Sequence, residues 1–173
     1  MKIAYLGKLT FTHELYEKCL KNGNDVLISC KTLAGIADAV RNNKAELGIL
    51  PLKNGIIGKI NSYDLNNLKI IKKIKLPIKM SLGGIGNKNK IRYIISKKEV
   101  FHQCSDYIKK KKLQIIEEKS TVSGINKILR YNLKDTAVIC SEKAMKYHKL
   151  KIYQEDISNI KPNYTIFGLI CPK

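Results

Sequence analysis

Ile3-Ala4-Tyr5-Leu6-Gly7-Lys8-Leu9-Thr10-Phe11-Thr12-His13-Glu14 runs as a short apolar strand, a turn at Gly7, and an amphipathic helix opening at Thr12-His13-Glu14. A helix that starts directly after a strand presents unpaired amides and the positive end of its dipole, a ready site for an anion. The same grammar continues down the chain. Strand patterns fall at 3–6, 25–29, 47–51, 69–76, 93–96, 114–117, 136–139 and 164–170, with helical patterns near 13–21, 33–42, 58–65, 99–110, 122–129 and 142–147. Strands alternating with helices specify layered α/β architecture rather than a bundle or a sandwich. The helix near 33–42 shows apolar residues three and four apart in Ala34-Gly35-Ile36-Ala37-Asp38-Ala39-Val40, with Thr32 placed to cap it.

Gly83-Gly84-Ile85-Gly86-Asn87-Lys88-Asn89 reads as a mobile turn and the main internal break. It contains GGxG but follows no strand-to-helix turn, so it is not a dinucleotide fingerprint. The expected organisation is one lobe from about 1–77 completed by 159–173, a second from about 78–158, and a cleft between them of the kind that holds small molecules.

Composition narrows the function. The chain has 173 residues, 44% of them hydrophobic, enough for one domain or two small lobes with a packed core. No run of 18 apolar residues and no signal-peptide pattern occurs, so the expectation is a soluble cytoplasmic protein without membrane contact. The net charge of +19 invites a nucleic-acid reading, but only Arg41, Arg92 and Arg130 among the 33 basic residues are arginine. Base readout and bidentate phosphate contacts favour arginine. The lysines are dispersed, and the one true run, Lys109-Lys110-Lys111-Lys112, fits a helix C-terminus. Specific nucleic-acid binding is therefore not expected. Cys19, Cys30, Cys104, Cys140 and Cys171 form no CxxC or Cys/His cluster, which argues against zinc or a disulfide framework and for reduced core residues. Cys104 would need a neighbouring base to act as a nucleophile.

Several segments, in order, resemble the catalytic domain of prephenate dehydratase. Leu6-Gly7-Lys8-Leu9-Thr10-Phe11-Thr12 resembles its Gly-Thr-Phe-Thr/Ser turn, one residue short of the family's Gly-Pro-x-Gly-Thr-Phe. Pro51-Leu52-Lys53-Asn54-Gly55-Ile56-Ile57-Gly58 resembles Pro-x-Glu-Asn-Ser-x-x-Gly, with Lys53 at the glutamate and Gly55 at the serine. Leu76-Pro77-Ile78 through Leu82 resembles Leu-Pro-Ile-x-x-x-Leu, a strand crossing between lobes. Ser96-Lys97-Lys98 through Gln103-Cys104 resembles Ser-His-Pro-x-x-x-x-Gln-Cys, Ser96 being expected to cap the helix with Gln103 two turns along it; Ser120-Thr121-Val122 resembles Ser-Thr-Ala. Asn163-Tyr164-Thr165-Ile166-Phe167 resembles Asn-x-Thr-Arg-Phe, with Ile166 at the arginine.

The resemblance implies a two-lobed, periplasmic-binding-protein-like (type II) α/β fold and decarboxylating dehydration of prephenate to phenylpyruvate, a step of phenylalanine biosynthesis. It implies no metal or organic cofactor, and a homodimer, since dimerisation is typical of that family. It implies Thr165 as the catalytic hydroxyl at the departing group, and Thr10, Asn54, Ser96, Gln103, Ser120, Thr121 and Asn163 as substrate-binding residues, with Phe167 beneath. Ile166 can neither pair with a carboxylate nor donate a hydrogen bond, and Lys53, Lys79, Lys97 and Lys98 are the cations available to replace the arginine. Two other readings fit the same fold: a sister enzyme that decarboxylates prephenate without aromatising it, and a non-catalytic small-anion-binding module. The chain ends at Lys173, so control by an ACT domain is not expected within it.

Overall fold

In a computed structural model, which describes residues 1–60 and 62–173, contacts divide the chain into two units. Met1–Pro77 with Tyr164–Lys173 make the first, Ile78–Asn163 the second.

The first unit is built on a sheet of β1 (Lys2–Tyr5), β2 (Val26–Ser29), β3 (Leu47–Asn54), β5 (Leu68–Pro77) and β11 (Tyr164–Pro172), in the order β2-β1-β3-β11-β5, with the short β4 (Gly58–Lys59) on β3. β1 runs parallel to β2 and β3, while β11 runs antiparallel to β3 and β5. Helix α1 (Phe11–Leu15) continues into a π-helical turn at Tyr16–Leu20. Helix α2 (Leu33–Arg41) is capped by Thr32, whose hydroxyl accepts from the Gly35 amide. Its Ile36 and Val40 pack with Leu50 and Ile170 in the core. Gly48 makes that approach possible, since a Cβ there would lie 2.9 Å from both Ile36 and Val40.

The helix expected over 58–65 does not form: 58–59 pair with β3 instead, 62–67 contain no helix, and 61 lies outside the described residues. The physical reason is local. Asn54 Oδ1 accepts from the amides of Ile56 and Ile57, and Ile60 N–H bonds Leu52 O, so the chain folds back as a hairpin.

The second unit carries β6 (Ser81–Gly84), β7 (Tyr93–Ser96), β8 (Gln114–Glu117), β9 (Thr136–Cys140) and β10 (Lys151–Gln154), ordered β10-β6-β9-β7-β8. Here the glycine segment departs from its sequence reading. Gly83 and Gly84 belong to a fully buried strand, not a mobile turn. A Cβ on Gly83 would stand 2.5 Å from Lys151 O, so glycine serves close packing there. The helix expected over 99–110 is two, α3 (Lys98–Gln103) and α4 (Ser105–Lys111), because the backbone leaves helical geometry at Cys104. The lysine run ends α4 as expected, with Lys112 left-handed at its C-cap. Helices α5 (Thr121–Arg130) and α6 (Glu142–Tyr147) complete the unit, α5 burying Ile125 and Ile128. Residues 159–163 group with this unit through Asn159, which takes the Asp106 amide on Oδ1 and donates to His102 O and Ser105 Oγ.

Candidate active site

In the first unit, register brings Thr165 of β11 directly opposite Asn54 of β3. Asn54 is 2% exposed and Thr165 6%. One Asn54 Nδ2 proton reaches Thr165 Oγ1 at 3.0 Å and the other reaches Tyr164 O at 3.1 Å, while Oδ1 holds the amides of Ile56 and Ile57 at 2.9 and 3.2 Å. The Asn54 amide is thus clamped from both ends. Thr165 receives a hydrogen bond on its oxygen and gives its own proton to no group among the described residues. Phe167 lies two residues along, hence on the same face of β11, and is buried.

Alternation also decides where the departures fall. Ile166 points to the opposite face from Thr165, and its direct cross-strand neighbours are Lys53 on β3 and Lys75 on β5. Lys53 in turn faces Lys59 of β4. Tyr164 shares the Ile166 face. Its ring carries the Lys75 ammonium 3.9 Å from the centroid and sits so close to Gly55 that a Cβ there would be 3.3 Å away. Asn54, Thr165 and Phe167 occupy one surface of the strands. Lys53 and Ile166 occupy the other, with Gly55 against Tyr164.

Thr10 is committed to the turn before α1. Its hydroxyl donates to Gly7 O at 2.7 Å, so in the 2.8 Å contact with Thr12 the donor is Thr12, whose oxygen takes the Leu6 amide. This fixes the start of α1, with Gly7 at φ 104° and Leu9 at φ 65°.

In the second unit, Ser96 is fully buried at the end of β7 and does not cap α3, contrary to expectation; Lys97 occupies that position without a side-chain bond. The reason is a buried acceptor remote in the chain: Ser96 Oγ donates to Ile139 O at 3.0 Å. In its 3.3 Å contact with Thr121 the donor is therefore Thr121. Ser120 caps α5 by accepting the Ser123 amide, and no hydrogen bond among the described residues engages the amides of Thr121 and Val122. Gln103 and Asn163 are both buried and meet through Asn163 Nδ2 and Gln103 Oε1 at 3.0 Å. Asn159, which ties the 159–163 segment to α3 and α4, was not singled out by sequence reasoning. An asparagine in a polar loop carries no periodic signal.

Cys104 is fully buried, and burial, with a smaller contribution from the Asp156 charge, pushes its thiol up to about 12, so it is no nucleophile at neutral pH. Among the described residues no three His, Cys, Asp or Glu side chains are grouped to hold a metal ion, and no helix is long and apolar enough to cross a membrane.

A family model described as prephenate dehydratase matches residues 3–173. The bifunctional chorismate mutase/prephenate dehydratase of Buchnera aphidicola subsp. Acyrthosiphon pisum is 33% identical over 90% of the chain and 40% of its own length. The prephenate dehydratase of Methanocaldococcus jannaschii is 30% identical over 99% of the chain and 64% of its own length. The chain thus spans less than two thirds of each of these relatives. The crystal structure of prephenate dehydratase from Arthrobacter aurescens, in complex with L-Phe, superposes with a TM-score of 0.83 at 19% identity, covering all of this chain and 60% of that one. At that identity the likeness is one of fold.

Proposed function

The chain belongs to the prephenate dehydratase family, and on that premise we propose that it converts prephenate to phenylpyruvate, carbon dioxide and water. The observation that carries this reading is the Thr165 hydroxyl, a buried donor whose oxygen is already held by Asn54. Dehydration needs a proton delivered to a poor leaving group, the ring hydroxyl, while the ring carboxylate departs. In the proposed step the C–O bond breaks as the hydroxyl takes the Thr165 proton and leaves as water. The bond to the ring carboxylate breaks to release CO2, its electron pair completes the aromatic ring, and solvent returns a proton to Thr165. Aromatisation supplies the driving force, so positioned donors and a poorly solvated carboxylate suffice without a metal or organic cofactor.

The remaining roles are assigned by the same reading. The start of α5, at Ser120 and Thr121, offers unpaired amides to a substrate carboxylate. Gln103 and Asn163 supply a buried pair of amides, Ser96 anchors Thr121, and Thr10 fixes the turn before α1. Phe167 forms an apolar floor beside Thr165. The departures at Lys53, Gly55 and Ile166 leave the Asn54–Thr165 pair in place, since Lys53 and Ile166 face away from Thr165 and Gly55 packs against Tyr164. We assign the protein to the cytoplasm, in keeping with five free cysteines.

The test is purified protein incubated with prephenate, phenylpyruvate being read as its alkaline absorbance, with Thr165→Ala alongside. Phenylpyruvate formation that falls by about 100-fold or more in the variant is expected, the usual contribution of a positioned proton donor. Prephenate consumed without phenylpyruvate would identify the non-aromatising decarboxylase instead, and binding without consumption an anion-binding module.

A further inference from the structure

Asn54 was expected among the substrate-binding groups, yet its amide is already engaged at both ends: Oδ1 by the amides of Ile56 and Ile57, Nδ2 by Tyr164 O and Thr165 Oγ1. The geometry points to Asn54 as a positioning residue that sets the direction of the Thr165 proton rather than a group that contacts substrate. This rests on the dehydratase reading above.

A threonine hydroxyl has one proton and two lone pairs, and left alone it rotates to suit whatever acceptor is near. Asn54 presents a donor, not an acceptor, to Thr165 Oγ1 at 3.0 Å. The hydroxyl must answer with a lone pair, and its proton is turned away from Asn54. Donation to the oxygen also polarises the O–H bond, which makes it a better donor to a leaving group. The amide cannot flip to offer its oxygen instead. A flip would place Oδ1 against Tyr164 O and turn the NH2 toward the Ile56 and Ile57 amides, exchanging three hydrogen bonds for repulsive contacts and keeping only the one to Thr165 with its direction reversed. The hairpin turn at 54–57 therefore fixes which end of the amide faces β11, and the register of β3 against β11 delivers it to Thr165.

Asn54→Asp is the discriminating substitution, because it keeps the oxygen that holds the turn and replaces only the donor. When ionised, the second oxygen of the introduced carboxylate accepts the Thr165 proton and points it away from the substrate. That oxygen also faces Tyr164 O in a buried site, which raises the pKa of the introduced carboxyl above the usual carboxylate range. As pH falls through that pKa the carboxyl regains a proton to donate to Thr165 or Tyr164. The expected result is a kcat reduced by about 100-fold at pH 8 that recovers as pH falls toward 5, with KM for prephenate little changed. The enzyme-free rate is subtracted at each pH. Wild type and Thr165→Ser show no such acid limb. Asn54→Ser, whose hydroxyl can still hold the turn but cannot reach Thr165, should lose kcat at every pH.

A KM raised about tenfold with kcat intact in either variant would make Asn54 a substrate contact and overturn the inference. So would a flat pH profile for Asn54→Asp, or wild-type kcat in Asn54→Ser. Should wild type itself leave prephenate unchanged, the dehydratase reading fails, and the clamp is then scored without turnover. Thermal midpoints of Thr165→Val, Asn54→Asp and the double variant at pH 8 should be non-additive if the two side chains are joined, and additive losses would sink the clamp.

Discussion

Replacing Ile166 by arginine restores the family residue, and the structure says that it should harm the protein rather than help it. Ile166 stands directly between Lys53 and Lys75, all three on one face of β3, β11 and β5. Two unit charges about 6 Å apart in water repel by about 0.7 kcal/mol. At physiological ionic strength, with a Debye length of about 8 Å, roughly half of that survives. An arginine at 166 meets two such neighbours, for a cost of about 0.7 kcal/mol. Exposing apolar area that a half-buried isoleucine now covers adds about 1 kcal/mol. The sum, about 2 kcal/mol, corresponds to a melting temperature lower by about 4–8 °C for a chain of this size. Lys53→Glu in the Ile166→Arg background turns one repulsion into an attraction and should return about 0.7 kcal/mol, a recovery that shrinks in high salt. Differential scanning fluorimetry at two ionic strengths, with prephenate turnover on the same samples, checks both parts. Turnover should stay within about twofold of wild type, because the side chain points away from Thr165. A gain of about tenfold or more in kcat/KM, worth about 1.4 kcal/mol of transition-state binding, would show that position 166 reaches the reacting centre and would refute the reasoning from strand alternation.

Two predictions concern stability. Gly86→Ala should lower the urea midpoint by the equivalent of about 1–3 kcal/mol at constant m, since its Cβ would lie 1.8 Å from Lys134 O and the backbone must move; Gly23→Ala, with open space around it, should not, and equal midpoints for the two would contradict the packing argument. Asp25 is held below the usual carboxylate range chiefly by the Asn22 amide, and further by the Met1 ammonium and the Tyr16 hydroxyl. A folded pKa below the unfolded one contributes stability that is present above the unfolded value near 3.8 and lost as pH falls through the folded value. Asp25→Asn should therefore be less stable than wild type at pH 7, and the two urea-midpoint curves should converge in acid; parallel curves would remove Asp25 from the pH dependence.

Layer architecture was legible because it rests on periodicity, which each strand and helix states for itself. What escaped the sequence depends on partners remote in the chain. Gly83 and Gly84 read as a turn because glycine marks turns most often; that they form a buried strand follows from Lys151 and Met145, some sixty residues on. The pattern at 58–65 has apolar spacing fit for a helix, but the turn bonds of Asn54 and the pairing of Gly58–Lys59 with β3 outbid it. Ser96 looked like a helix cap, the commonest use of a serine before a helix, until Ile139 O offered a buried acceptor. At the candidate site the residue types were legible and their division of labour was not. Nothing local distinguishes an asparagine that touches a ligand from one whose four hydrogen-bonding positions are taken by its own turn and a strand 111 residues away.

Register changes the meaning of the motif departures. Taken along the chain, Lys53, Gly55 and Ile166 interleave with Asn54, Thr165 and Phe167, so each motif looks half lost. Taken across the sheet, they separate. The residues that could act on a substrate keep one face and keep their 3.0 Å hydrogen bond. The replaced residues are neighbours of one another: Lys53 lies opposite Ile166, and Gly55 lies under Tyr164, whose ring takes the space a side chain at 55 would need. At these two directly opposed positions the family's acid is a lysine and its base an isoleucine, so no carboxylate is left at 53 facing a missing arginine. Lys97, Lys98 and the shorter turn before α1 depart elsewhere, so this separation is a property of the β3–β11 pair. Within that pair the replacements repack the rear surface and leave the Thr165 hydroxyl held by the Asn54 amide.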